Sequence, residues 1–151
     1  MSGWWRRWRI CRRCSTLQEA LIRADLPGMR SLRTVTVRIP DSEDRYVPDL
    51  AVVPTAVARS EVWLRSAEDL ELAVEAVSSS SALHDWKARI KGYARAGVPL
   101  YLVTDPSKGG IALFSVPEGG KYQTVERAVP GASVHLGAPF ALGIEAAALL
   151  Q

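Results

Sequence analysis

A chain of 151 residues with 48% hydrophobic and 23% charged side chains can bury one substantial core, and its composition excludes a disordered polymer. No apolar run approaches the roughly 20 residues that cross a bilayer, so a membrane-spanning helix is excluded as well. The net charge of +3 is unevenly placed, because residues 1–24 hold six arginines against one glutamate and the remainder is slightly acidic.

The opening stretch, MSGWWRRWRICRRC, has arginines but no continuous apolar segment, which makes it a poor secretory signal and points to a cytoplasmic protein. Cys11 and Cys14 form a single C-x-x-C pair. Without a second pair a four-cysteine zinc site cannot be built within the chain, and His84 and His135 lack finger-like spacing. Two reduced cysteines on a helix is the reading that remains. Trp4, Trp5 and Trp8 among the arginines could bind nucleic acid or a membrane surface. The preferred alternative is a helix lying on the domain with its arginines in water. Ile10, Cys14, Leu17 and Leu21 fall at helical spacing, and Asp25-Leu26-Pro27-Gly28 ends that pattern. Residues 1–28 therefore read as a basic, Trp/Arg-rich helical segment, and 29–151 as a single domain.

Residues 33–39, RTVTVRI, alternate: Val35, Val37 and Ile39 on one face, Thr34, Thr36 and Arg38 on the other, as in a half-buried strand. A turn at 40–45 leads to RYVPDLAVVP (45–54), and the two segments are expected to form a hairpin. The next strand is expected at 69–77, DLELAVEAV, followed by serines that can cap a helix at Ser80 or Ser81. That helix carries Leu83, Trp86, Ile90, Tyr93 and Ala94 as its apolar stripe and ends at Gly97. VPLYLVTDP (98–106) is a wholly apolar strand of the kind buried on both faces, with Tyr101 in the sheet core and Asp105 ending it in a turn. Strand, helix and buried strand together make a βαβ crossover. Shorter strands follow around 111–116, 121–127 and 133–136, and a short helix, IEAAALL, closes the chain. The fold class is α/β, with a mixed sheet of about six strands flanked by helices.

Two residues do not belong in this pattern. Asp49 interrupts an apolar strand directly after Pro48, and Glu75 lies within LAVEAV, where nothing nearby in sequence neutralises it. A buried charge is costly unless it is paired. Two carboxylates on neighbouring strands would also repel, so that one would take up a proton. A hard divalent cation removes both costs, since Mg²⁺ is held by one or two carboxylates with waters and phosphate oxygens. The competing reading is that one acid caps a turn or pairs with Arg38, Lys87 or Lys91. Glu71 shares the face of Glu75 by period two; it either reaches a second metal or, as preferred, points to solvent.

VPDLAVV, then the acid of LAVEAVSSSS, then HDWKARIKGYARAGVPLYLVTDP resemble the large bacterial "putative restriction endonuclease" family of the PD-(D/E)XK superfamily, from about residue 33 onward. The resemblance implies a restriction endonuclease-like core and a Mg²⁺-dependent endonuclease acting on DNA, with Mn²⁺ able to substitute. It implies a metal held by Asp49, Glu75 and the backbone carbonyl of Ala76. The superfamily's lysine, two residues after the acid, falls here on Val77, and the position the family uses instead, four residues after Asp85, is Arg89. Lys87 and Lys91 flank it on the same helix and stand as the catalytic candidates beside the acids, the bland reading being a solvated basic face with an Asp85–Arg89 pair. Family members carry a longer N-terminal region with a further acid, whereas Glu19 is the sole acid before Asp25 here, which points to a truncated or mis-started member. The partner expected is DNA and no membrane, with a homodimer also allowed for. The alternative function is a catalytically impaired relative that binds nucleic acid or protein.

Overall fold

The computed structural model describes residues 12–24, 26–33, 35–58, 64–76, 82–105 and 108–150. The tryptophans at 4, 5 and 8, Cys11, Val77 and the expected caps Ser80 and Ser81 lie outside them. Helix α1 (Arg12–Arg23) turns Leu17 and Leu21 inward, as their spacing of four predicts. The chain then reverses at Gly28, whose φ of +81° suits a residue without Cβ, and enters β1 (Met29–Leu32). This strand was not expected, because MRSL is short and does not alternate.

Val35, Val37 and Ile39 are buried, as the alternation predicts, with the strand itself at β2 (Thr36–Arg38). The expected hairpin is present but short, because it uses only the first two residues of the 45–54 segment. β2 pairs antiparallel with β3 (Arg45–Tyr46) and parallel with β5 (Leu64–Ser66), forming a small sheet of its own. The segment bearing Asp49 instead becomes β4 (Leu50–Pro54) of the main sheet. Pro48 explains the break: it has no N–H to continue the ladder, so the chain can leave one sheet and join the other. A single helical turn, α2 (Thr55–Ala58), follows β4.

The strand expected at 69–77 starts later, because Ala67–Asp69 form a 3₁₀ turn capped by Ser66, and β6 spans Leu72–Ala76. Helix α3 (Ala82–Arg95) crosses to β7 (Leu100–Asp105), which lies parallel to β6, so the βαβ unit is present. β8 (Gly110–Glu118) and β9 (Lys121–Ala128) form a hairpin through Gly119 and Gly120, both at positive φ. β10 (Ser133–Leu136) pairs with β11 (Leu142–Glu145) as a separate ribbon. The closing helix is shorter than expected, α4 (Ala146–Leu150), since Ile144 belongs to β11.

The main sheet runs β1-β4-β6-β7-β8-β9, mixed through the parallel β6–β7 pair. Its central strands bury both faces. Leu50, Val52, Leu72, Val74 and Leu102 pack with α1, α4 and the β10–β11 ribbon. Ala51, Val53, Ala73, Tyr101 and Val103 pack with α3 and the small sheet. That second layer brings the candidate site side chains together.

Leu102, 0% exposed on the central β7, should cost about 2–5 kcal/mol on truncation to alanine, read as a lower urea midpoint at unchanged m. Ile22→Ala, at a site 67% exposed, should stay within about 0.5 kcal/mol of wild type.

Candidate active site

Asp49 stands at the point where the chain crosses into the main sheet. Its N–H donates to the Val74 carbonyl at 3.0 Å, and its Oδ2 accepts from the Ala76 N–H at 2.8 Å. The carboxylate thus occupies the end of the β4–β6 ladder in place of backbone. The register Leu50↔Val74, continued by one residue, sets Asp49 beside Glu75. Period two gives both acids the α3 side of the sheet, where Ala51 and Ala73 already point.

Glu75 is 5% exposed. Its Oε1 forms an ion pair with Arg89 Nη1 of α3, and its Oε2 accepts from the Tyr101 hydroxyl of β7. Arg89 in turn lies 5.2 Å from the centre of the Tyr46 ring, which β3 supplies. Tyr46 reaches α3 only because residue 92 is glycine: a Cβ there would meet Tyr46 Cε2 at 2.8 Å. Tyr46, Tyr93 and Tyr101 stack in sequence, with ring centres 5.5 and 4.8 Å apart.

Burial raises the Glu75 carboxyl above the ordinary value of 4.5; Arg89 and the Tyr101 hydroxyl pull against this rise, and the charge on Asp49 adds to it. The two carboxylates therefore sense each other's charge. Burial alone would loosen the proton of Arg89, but the Glu75 charge, the hydrogen bond to Glu75 and the Tyr93 and Tyr101 phenols together outweigh it and keep the guanidinium cationic. Burial drives the Tyr93 and Tyr101 phenols well above their usual range, so Tyr101 remains a donor.

The cation that meets Glu75 is thus Arg89, while Lys87 and Lys91 are both exposed. At 3.6 residues per turn they sit about 160–200° around the helix from Arg89. The sequence reading reached Arg89 as the position the resembling family uses, four residues after Asp85; its spacing of four from Tyr93 is the local signal that also turns it inward. Tyr101 was read as sheet core only; its contact with Glu75 depends on the parallel register of β6 and β7, which no local pattern reveals. Glu71 lies at the other end of β6, where its N–H donates to Val52 at 2.8 Å. Asp105 closes a turn, accepting from the Lys108 N–H at 3.3 Å. His135 is exposed on β10. The side chains of His84, Asp85 and Trp86 are outside the described residues.

Among the described residues no group of three or more His, Cys, Asp and Glu side chains converges. The acid pair still fits a hard divalent cation, which needs one or two carboxylates and completes its shell with water and phosphate oxygen. Their placement side by side at the end of the β4–β6 ladder is the observation that favours it.

A family model described as "Uma2: Putative restriction endonuclease" matches residues 2–149. The fold is similar to a crystal structure described as "a putative nuclease belonging to DUF820" from Anabaena variabilis ATCC 29413. The TM-score is 0.73 at 17% identity, covering 93% of this chain and 78% of that one. A weaker likeness, TM-score 0.42 at 14% identity, covers 76% of this chain and 10% of one in a cryo-electron-microscopy structure of a DrdV–DNA complex; it carries no weight. No curated protein matches. The mixed sheet with its flanking helices is the restriction endonuclease-like core that the sequence led us to expect.

The raised Glu75 carboxyl stabilises the fold fully below its unfolded value near 4.5, and that contribution is lost as pH rises through the folded value. Urea unfolding of wild type minus Glu75→Gln should therefore give a difference that shrinks between pH 4 and 7. Tyr101→Phe, which strips Oε2 of its donor, should cost about 1–3 kcal/mol at pH 7 by the same measurement.

Proposed function

The chain belongs to the Uma2 family, and from that membership and the Asp49–Glu75 geometry we propose that it is a Mg²⁺-dependent endonuclease hydrolysing phosphodiester bonds of DNA. The observation that carries this is a glutamate 5% exposed, set beside a second acid by strand register and answered by an arginine. Such a group is expensive as structure alone, since an apolar residue of similar size would pack there without charge.

Asp49, Glu75 and the Ala76 carbonyl would hold the cation, with Mn²⁺ able to replace Mg²⁺. Once bound, the cation polarises the phosphate and lowers the pKa of an attacking water. The protein's own share is orientation. The Ala76 N–H fixes Asp49 through Oδ2, leaving Oδ1 for a ligand, and the Tyr101 hydroxyl fixes Glu75. Arg89 supplies the positive charge that the superfamily usually draws from lysine, and it stabilises the charge that develops on the phosphate. It does not act as a base, because a guanidinium keeps its proton. Lys87 and Lys91, exposed on α3 and turned away from Arg89, would serve this function by meeting phosphates of the duplex backbone.

Nicking of supercoiled plasmid is the test. Cleavage should require Mg²⁺ or Mn²⁺, cease with a chelator, and fall at least about a hundredfold in Asp49→Asn and in Glu75→Gln. Cleavage that survives both substitutions overturns the assignment. DNA binding that persists in a metal-independent, non-cleaving protein but vanishes on deletion of residues 1–16 would instead support a binding module.

A further inference from the structure

Glu75 has both carboxylate oxygens engaged, Oε1 by Arg89 and Oε2 by Tyr101. We infer that Arg89 and a divalent cation are mutually exclusive partners of Glu75, so that cation binding dislodges the guanidinium. The inference rests on the metal site proposed above. A divalent cation would take Oε1 from Arg89 or displace Tyr101 from Oε2; either way cation and guanidinium would stand on one carboxylate, and Glu75, 5% exposed, has little water to screen their repulsion. Either charge neutralises Glu75. Both together overcompensate it.

Arg89 can also leave without abandoning the site. Its side chain is 28% exposed, so solvent is open to it, and its guanidinium already has the Tyr46 ring at 5.2 Å as a second partner. Beside it Tyr93 buries a hydroxyl that has no hydrogen-bond partner among the described residues. That hydroxyl offers the displaced guanidinium an acceptor within the same aromatic stack.

Two consequences follow. The apparent affinity for the cation is the intrinsic one multiplied by the fraction of molecules in which Arg89 has released Glu75. A phosphate that gives the guanidinium another partner raises cation affinity, and the cation raises phosphate affinity in return.

Calorimetric titration of the full chain with Mn²⁺ alone tests this. Arg89→Met should bind Mn²⁺ about tenfold or more tightly than wild type, the resting competitor having been removed. Asp49→Ala should bind weakly or not at all. Equal or weaker binding by a folded Arg89→Met, with Asp49→Ala still defective, overturns the exchange and leaves the metal site standing. Absence of binding by every variant overturns both. A second readout needs no destabilising substitution: in wild type, Mg²⁺ should shift the Arg89 Nε–H NMR resonance, assigned by its loss in Arg89→Lys. An Arg89 resonance that stays in place while Mg²⁺ saturates the protein overturns the exchange.

Discussion

A carboxylate buried at the end of a central strand organises this molecule. Glu75 cannot be left alone among Ala73, Val103 and Tyr93, because an unpaired charge there costs several kcal/mol. Every neighbour that touches it answers that problem: an arginine on one oxygen, a phenol on the other. Asp49 makes the problem worse by adding a second negative charge. A fold selected only for stability has no reason to put the two side by side.

The layers around the pair make more sense with that constraint in view. The βαβ crossover lays α3 over the acid end of β6, which brings Arg89 within reach. The small sheet then does what the main sheet cannot. Through β3 it sets Tyr46 against the outer side of Arg89, and Gly92 opens the space on α3 for that ring. Pro48 connects the two sheets, so one short stretch, from Tyr46 to Asp49, contributes both the roof over the arginine and the second acid. Close packing of the tyrosines fixes all of this, with Tyr93 and Tyr101 fully buried and Tyr46 partly so.

What was legible in the sequence was whatever local chemistry decides. The alternation of Val35, Val37 and Ile39, the unbroken apolar run of β7 and the helix between β6 and β7 all follow from patterns of two or 3.6 residues. Asp49 and Glu75 were legible as misfits against those patterns. The partners were not, because pairing is a tertiary choice. β2 was expected to pair with the whole 45–54 segment; it took only Arg45 and Tyr46 from it and added Leu64–Ser66 on its other side. β1 and β11, four residues each, carry too little pattern to announce themselves. Arg89 sat among three basic residues, and its inward direction followed only from asking which of them shared a stripe with Tyr93. Tyr101 met Glu75 through a register between strands separated by a whole helix.

Arginine in place of lysine at this position has a physical logic of its own. A lysine buried against tyrosines and a carboxylate can lose its proton, and then Glu75 would have to take one up. A guanidinium stays charged, spreads that charge over a plane that stacks on Tyr46, and needs less water than an ammonium. It can therefore act as a permanent counter-ion for Glu75 when no other cation is present, which a lysine does less reliably. The same permanence denies it any part in taking a proton from water. Under the function proposed above, the arginine holds charge and the acids gather it, so activation of the nucleophile would fall to whatever Asp49 and Glu75 together bind.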